Sequence, residues 1–292
     1  MEKTMIAALR KCKANSVHLS GNTVYCIDYG NSSCHGALTM QNEESIEPGA
    51  YDKKGVLGGV YEKSGDYCPP EENQGAILTY DDGDFLREFA PVFSRLAPYA
   101  ADDETRYFIN GVYLENEFMT ATDGRRLASW KLKNSIELPE GEKGFILKPT
   151  NCLLYLLEKF TLARIAIEKR GKKSDTYAVF YFIEYGTVYA LKTIDGLFPV
   201  WQRVMPEIRE SDDTLKIPSA DTLKKTVLSC KVKKERPFIV VETVQGNQVR
   251  INPLYLLDAI KEIQEMSGAS PSKAWRGDIG SLSVVIMPMV ID

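Results

Sequence analysis

The feature that most constrains this chain is an alternation repeated along its 292 residues: one short helix, several strands, then another helix. A helix is predicted over 2–13, where Met5, Leu9 and Cys12 share one stripe. Strands are predicted over 16–40, as SVHLS, a turn at Gly21-Asn22, TVYCIDYG and CHGALTM. Residues 41–75 are rich in glycine, proline and acid, and predict a loop or irregular insert. A helix over 84–97 would turn Phe85, Phe89, Val92 and Leu96 inward, with Pro91 disturbing it. Strands follow at 106–114, 117–121 and 127–132.

A second unit begins near Lys148-Pro149-Thr150, with Thr150 as the cap of a helix over 150–160. Strands then run over 163–168, 175–185 and 187–192. A third unit starts at Ser219, with a basic helix to Cys230 and strands at 237–242 and 248–251. A fourth starts at Asn252, with a helix through NPLYLLDAIKEIQEM and a final strand in SLSVVIMPMV. Two helices share wording, Asn151-Cys-Leu-Leu-Tyr-Leu-Leu and Asn252-Pro-Leu-Tyr-Leu-Leu, which marks internal repetition. The units are too long and strand-rich for a helical solenoid. They predict an α+β fold, antiparallel sheets with helices on one face.

Charge is distributed unevenly along a chain of net charge −4. Residues 41–84 hold eleven acids against three bases, whereas residues 222–236 hold six bases against Glu235. Residues 2–13 carry Lys3, Arg10, Lys11 and Lys13 against Glu2. Basic clusters in an acidic chain suggest local contact with a polyanion, although a solvated helix face is the commoner reason for any single run. No stretch reaches the length of a membrane span, and the N-terminus does not read as a signal peptide. A cytoplasmic protein is expected, with no membrane contact.

Little here predicts catalysis. There is no nucleophile elbow, phosphate loop, dinucleotide fingerprint or His-Glu-x-x-His. Asp81-Asp82-Gly83-Asp84 lacks the distal glutamate of a calcium loop and reads as an acidic turn before a helix. Cys12, Cys26, Cys34 and Cys68 lie near His18 and His35, but no Cys-x-x-Cys pair occurs. Ordinary reduced thiols are expected rather than a metal site, and no cofactor.

Two stretches are far more specific. ETRYFINGVYLENEFMTATDGRRLASW spans 104–130, and LKTIDGLFPVWQRVMPEI spans 191–208. Within them and the C-terminal VVIMPMV stand Arg106-Tyr107, Asn110-Gly111, Ala121-Thr-Asp-Gly-x-Arg-Leu-Ala128, Asp195-Gly-x-Phe-Pro199, Arg203-Val204-x-Pro206 and Met287-Pro-Met289. In order and rough spacing these resemble the bacterial sliding clamp, the beta subunit of DNA polymerase III. The resemblance covers about 76–292. It implies a middle clamp domain at 76–208 and a C-terminal one at 209–292. Residues 1–75 would form a shortened, divergent N-terminal domain with an acidic insert.

The resemblance implies a DNA clamp fold, with sheets outside and helices lining a homo-oligomeric ring around duplex DNA. Such a protein is a non-catalytic processivity factor. It holds DNA through sequence-independent phosphate contacts. Its partners would be a DNA polymerase catalytic subunit and a clamp loader. Candidate DNA-facing residues are Arg10, Lys11, Lys13, Arg87, Arg95, Lys159, Lys224, Lys225, Lys231, Lys233 and Lys234. The family also docks short peptides in a hydrophobic groove. The matching positions are Ile109, Thr122, Gly124, Arg125, Arg126, Leu127, Pro206, Val285, Met287, Pro288 and Met289. Val290 stands where the common family pattern, Met-Pro-Met-Arg-Leu, has arginine. The shortened front motivates an alternative: a clamp-like adaptor or decoy that binds clamp partners without encircling DNA. A ligand-binding protein or enzyme of unrelated α+β fold would instead show a deep pocket with convergent polar groups.

Overall fold

The computed structural model describes residues 3–14, 16–29, 35–57, 61, 63–65, 73–170, 174–233 and 237–289. Cys34, Cys68, Lys234 and the departure at Val290 lie outside the described residues, as do the side chains of His35 and Lys233.

The chain opens with α1 (Lys3–Lys11), β1 (Ser16–Tyr29), β2 (His35–Asp52), α2 (Lys53–Leu57) and β3 (Lys63–Gly65). Next come β4 (Asn73–Tyr80), α3 (Gly83–Leu96), β5 (Val112–Leu114), β6 (Phe118–Thr122), β7 (Arg126–Lys131) and β8 (Phe145–Leu147). The second unit contributes α4 (Asn151–Lys159), β9 (Leu162–Arg170), β10 (Asp175–Phe182) and β11 (Val188–Lys192). The remainder holds β12 (Asp213–Thr214), α5 (Ala220–Lys233), β13 (Ile239–Glu242) and β14 (Gln248–Ile251). It ends with α6 (Pro253–Ala259), β15 (Ser267–Gly268), β16 (Trp275–Ile279) and β17 (Leu282–Ile286).

Two large antiparallel sheets organise these elements, so the α+β expectation holds. One runs β1-β2-β11-β10-β9-β4, with β3 on β2. The other runs β12-β15-β16-β17-β7-β6-β5-β8, and β13 and β14 pair separately. Helix α3 packs against β9 of the first sheet and β6 and β7 of the second. Its buried face is aromatic: Phe85, Phe89 and Phe93, with Val92 and Leu96. Adjacent rings lie 5.4–5.8 Å apart along it. Asp82 caps it by accepting from the Asp84 and Phe85 amides at 2.7 and 2.9 Å, as an N-terminal carboxylate does. Those backbone bonds also lower the Asp82 pKa.

The repeated helices are capped alike. Thr150 Oγ1 accepts from the Leu153 amide at 3.1 Å, and Asn252 Oδ1 accepts from the Leu254 amide at 3.0 Å. Within α3, Glu88 is buried, and its carboxylate is satisfied by the Trp130 indole at 2.8 Å and the Lys133 amide at 3.2 Å.

Several local expectations need correction. Gly21-Asn22 is not a hairpin turn: β1 runs straight through it, with register shifts on both sides of Gly21. The extra length is absorbed as an irregularity because β2 is long enough to pair with both halves. Residues 41–52 are strand, not loop, with Ile46 opposite Gly21 and Tyr51 opposite Val17. Their polar and Gly-Pro composition hid this partnership. Pro91 does not interrupt α3, since it sits on the exposed side of a helix fixed by its aromatic face. The last helix is shorter than its wording suggests, ending at Ala259. Helix α2 and strands β3, β4, β8, β12, β15 and β16 fall outside the predicted elements.

Candidate functional site

The sequence motifs converge on the seam where β7 pairs with β17. Leu127 lies opposite Val285 and Arg126 opposite Ile286, and the Met287 amide extends the ladder to the Arg125 carbonyl at 2.8 Å. The loop leading into β7 is built by its own side chains. Thr122 Oγ1 accepts from the Gly124 amide at 3.0 Å and donates to the Arg126 carbonyl at 2.7 Å. Asp123 accepts from the Arg125 and Arg126 amides at 2.9 and 3.0 Å. Gly124 has φ +83°, and a Cβ there would lie 2.6 Å from Arg106 Nη1. Only glycine meets both demands comfortably.

The neighbouring segment is fixed in the same manner. Asn110 accepts from the Asp103 amide at 3.0 Å and donates to its carbonyl at 2.9 Å. Asp103 in turn holds Arg106 Nε at 3.0 Å. Hydrogen bonds from the Thr105 hydroxyl, and then from Arg106, keep the Asp103 carboxyl well below the ordinary carboxylate range.

Together these segments enclose a groove of about 320 Å³. Its floor is the buried set Leu127, Trp201 and Val285, with Phe118, Phe198 and Met205 packed beneath. Val200, Val204 and Met287 flank it and are half exposed. Trp201 is oriented by two contacts. Its ring meets Phe118 edge-on at 5.2 Å, and its Nε1 donates to Glu115 Oε1 at 2.8 Å. Burial raises the Glu115 pKa, partly offset by that indole bond.

Arginines form the groove's polar edge. Arg125 is exposed. Arg126 is held rigidly: Nε meets Asp123 at 3.1 Å, Nη1 meets Asp258 at 2.6 Å, and Nη2 donates to the Pro98 carbonyl at 2.6 Å. Its guanidinium lies over the Tyr99 and Tyr255 rings at 4.9 and 4.6 Å. Arg126 thus ties β7 to α6 across the seam.

Of the groove positions implied by the resemblance, Ile109, Thr122, Gly124, Arg125, Arg126, Leu127, Val285 and Met287 line this space. Pro206, Pro288 and Met289 do not. The Pro206 carbonyl instead accepts from Arg276 at 3.0 Å, and the Met289 amide donates to the Arg250 carbonyl at 2.7 Å. Phe108, Pro199, Val200, Trp201 and Val204 also line it. Pro199 and Val204 stood in the quoted motifs. Nothing in the spacing singled out Trp201, whose role follows from its contact with β6 and with Glu115.

Lys11 and Lys13 are exposed at the end of α1, and with Lys148 they line a cavity of about 190 Å³ at the first turn of α4. Lys148 was not foreseen. Lys224, Lys225 and Lys231 are exposed along α5, and Arg10 is exposed on α1. Arg87 pairs with Asp84, and Lys159 pairs with Glu158 at 2.7 Å. Arg95 pairs with Glu262 at 3.1 Å and lies 5.2 Å over Trp130. Those three are engaged locally.

Comparison with known proteins agrees with this geometry. No family model matches the chain. The beta sliding clamp of Treponema pallidum (strain Nichols) is 28% identical over 180 residues, which is 60% of this chain. That match spans only 46% of the relative's length. In three dimensions the likeness extends further. The DNA polymerase III subunit beta of Pseudomonas aeruginosa superposes with a TM-score of 0.67 at 15% identity, covering 99% of this chain and 98% of that one. The Helicobacter pylori beta clamp bound to a DNA ligase peptide gives 0.66 at 15% identity, covering 98% and 97%. The described residues contain no helix long and apolar enough to cross a membrane. In part of its sequence and in nearly all of its fold, the chain is similar to the bacterial sliding clamps, the beta subunits of DNA polymerase III.

Proposed function

We propose that this protein is a DNA sliding clamp. It encircles duplex DNA as a homo-oligomeric ring in the cytoplasm, tethers a replicative polymerase, and performs no chemistry itself. The observation that carries this reading is the apolar groove at the β7–β17 seam, set in a chain that shares the clamp fold from end to end. The three divisions at 1–75, 76–208 and 209–292 serve as its domains. The first sheet then joins the first two through β2 and β11, and the second joins the last two through β7 and β17.

The groove suits a short peptide with apolar anchors. Met287 offers an unbranched, polarizable wall that adapts to different side chains. Arg125 adds a donor for a peptide carbonyl or carboxylate at the edge. A peptide of that kind would come from a polymerase, a clamp loader or, as in the Helicobacter pylori complex, a ligase. The exposed lysines of α1 and α5, with Lys148, supply non-specific phosphate contacts weak enough for movement along DNA. A net acidic chain leaves the remaining surface unattractive to DNA.

The test is retention on closed and linear DNA, with solution mass measured by light scattering at two salt concentrations. A discrete oligomer that is retained on circular duplex and lost on linearisation is the expected result. A strict monomer that binds partner peptides but is not retained would replace this reading with the adaptor.

A further inference from the structure

We propose that Cys12 and Cys152 form a redox-sensitive covalent staple between α1 and α4. The two sulfurs lie 3.1 Å apart, although 140 residues separate them in sequence. A disulfide bond is about 2.05 Å long, so roughly one ångström of side-chain adjustment closes it. Both side chains are buried where α1 packs on α4, and Met5, Ala8, Leu9, Leu153 and Leu156 belong to the same buried core. Both residues are thiols in this structure. The other cysteines of the described residues are placed differently. Cys26 lies in β1 and Cys230 in α5.

The surroundings give the two thiols different parts. Cys152 is the second residue of α4, behind the Thr150 cap, where the helix N-terminus partly offsets the cost that burial imposes on a thiolate. It is the nucleophile. Cys12 follows the last residue of α1, and its carbonyl accepts a hydrogen bond from the buried Lys53 ammonium. That bond anchors Cys12 where the second step needs it.

Burial admits only a small oxidant, so the co-reactant is hydrogen peroxide. The Cys152 thiolate attacks one peroxide oxygen, the O–O bond breaks, and hydroxide leaves. Cys152 becomes a sulfenic acid. The Cys12 sulfur then attacks the Cys152 sulfur. The S–O bond breaks, the sulfur–sulfur bond forms, and the oxygen leaves as water. In sum, two thiols and one peroxide give one disulfide and two waters. A thiol reductant reverses the change by exchange. The product fixes the first helix to the second unit, beside the cavity lined by Lys11, Lys13 and Lys148. It does not depend on the clamp reading.

The experiment treats the full chain with hydrogen peroxide, alkylates it in denaturant and maps the peptides by mass spectrometry. A peptide pair joined through Cys12 and Cys152, absent after reduction, is the expected result. The apparent melting temperature should rise by about 5–10 °C on oxidation and return on reduction, the size expected when a long loop is closed. Cys152→Ser and Cys12→Ser should each abolish that rise, whereas Cys230→Ser should keep it. The mapping needs no variant, so a poorly folded serine protein leaves the test intact. Full alkylation of both cysteines after peroxide treatment would overturn the proposal, as would a sulfinic acid at Cys152 without the link.

Discussion

The two seams of this molecule are built by opposite means. Where β2 meets β11, four residue pairs join the first strands to the second unit, and the contact is close and apolar. Tyr189 is fully buried there, its hydroxyl shares a 2.8 Å hydrogen bond with Thr150, and its ring lies against Gly36. Where β7 meets β17, five pairs form the ladder, and a charged side chain pins it. Arg126 satisfies two carboxylates and a carbonyl while its guanidinium lies against two tyrosine rings. The first seam depends on fit, so it tolerates no added volume. The second depends on a network, so it tolerates no missing partner. The groove belongs to the second because its apolar floor needs a polar frame to stay open to water.

The largest effect should come from Arg126→Ala. Removing one member of a nearly buried ion-pair network costs about 3–5 kcal/mol, because Asp123 loses its counter-charge and Asp258 keeps only the exposed Lys261. Arg126→Lys should recover little, since a single nitrogen cannot reach acceptors that Arg126 meets from three separate nitrogens. Urea midpoints of the three proteins measure this. Equal midpoints for alanine and arginine would show that the pin is ornamental.

Gly36→Val tests the other seam. A Cβ at Gly36 would stand 2.2 Å from the Tyr189 hydroxyl oxygen. Overpacking of this kind costs about 1–3 kcal/mol. The companion change Tyr189→Phe should relieve part of it, so a double-mutant cycle in urea should return a non-zero coupling. Additive effects would place the clash elsewhere.

Met287→Ala should leave folding nearly unaltered and weaken peptide docking by ~1–3 kcal/mol, the range of a useful interface anchor. Fluorescence titration with a peptide from a partner polymerase reads it. Unchanged affinity would remove this residue from the site.

The smallest effect is confined to acid. Burial opposes ionisation of Asp213, but hydrogen bonds from Thr243, Asn247, Gln245 and Thr214 hold its pKa down at about 2. A depressed carboxyl pKa stabilises the fold above the ordinary aspartate range, and that contribution is lost as pH falls through that range to about 2. Asp213→Asn should therefore flatten the acid limb of the stability curve, and thermal melts between pH 5 and 2 would show it. An unaltered acid limb would mean that other carboxylates dominate.

Much of this was legible in the residues. The cap at Thr150, the aromatic stripe of α3 and the repeated unit all follow from local spacing, because helix and turn chemistry is settled within a few residues. The Thr122-Asp123-Gly124 turn is equally local, since its hydrogen bonds are internal to it, but in the sequence it stood only as part of a quoted motif. The strand over 41–52 was not legible, because a polar strand reveals itself only through its partner, here β1. Trp201 and Lys148 were missed for the same reason. Each acquires its role from residues far away in sequence: Trp201 from Glu115, and Lys148 from Lys11 and Lys13.

The sequence by itself thus determined the α+β class and the repeated units, and named eight of the residues that line the apolar groove. The tertiary structure decided which candidates face one another. It removed Pro206, Pro288 and Met289 from the groove lining, tied Arg126 to α6, and brought two cysteines 140 residues apart into contact. The physical reason is range. Capping and turn bonds act over three or four residues, whereas strand pairing and side-chain packing join positions whose separation carries no local signal.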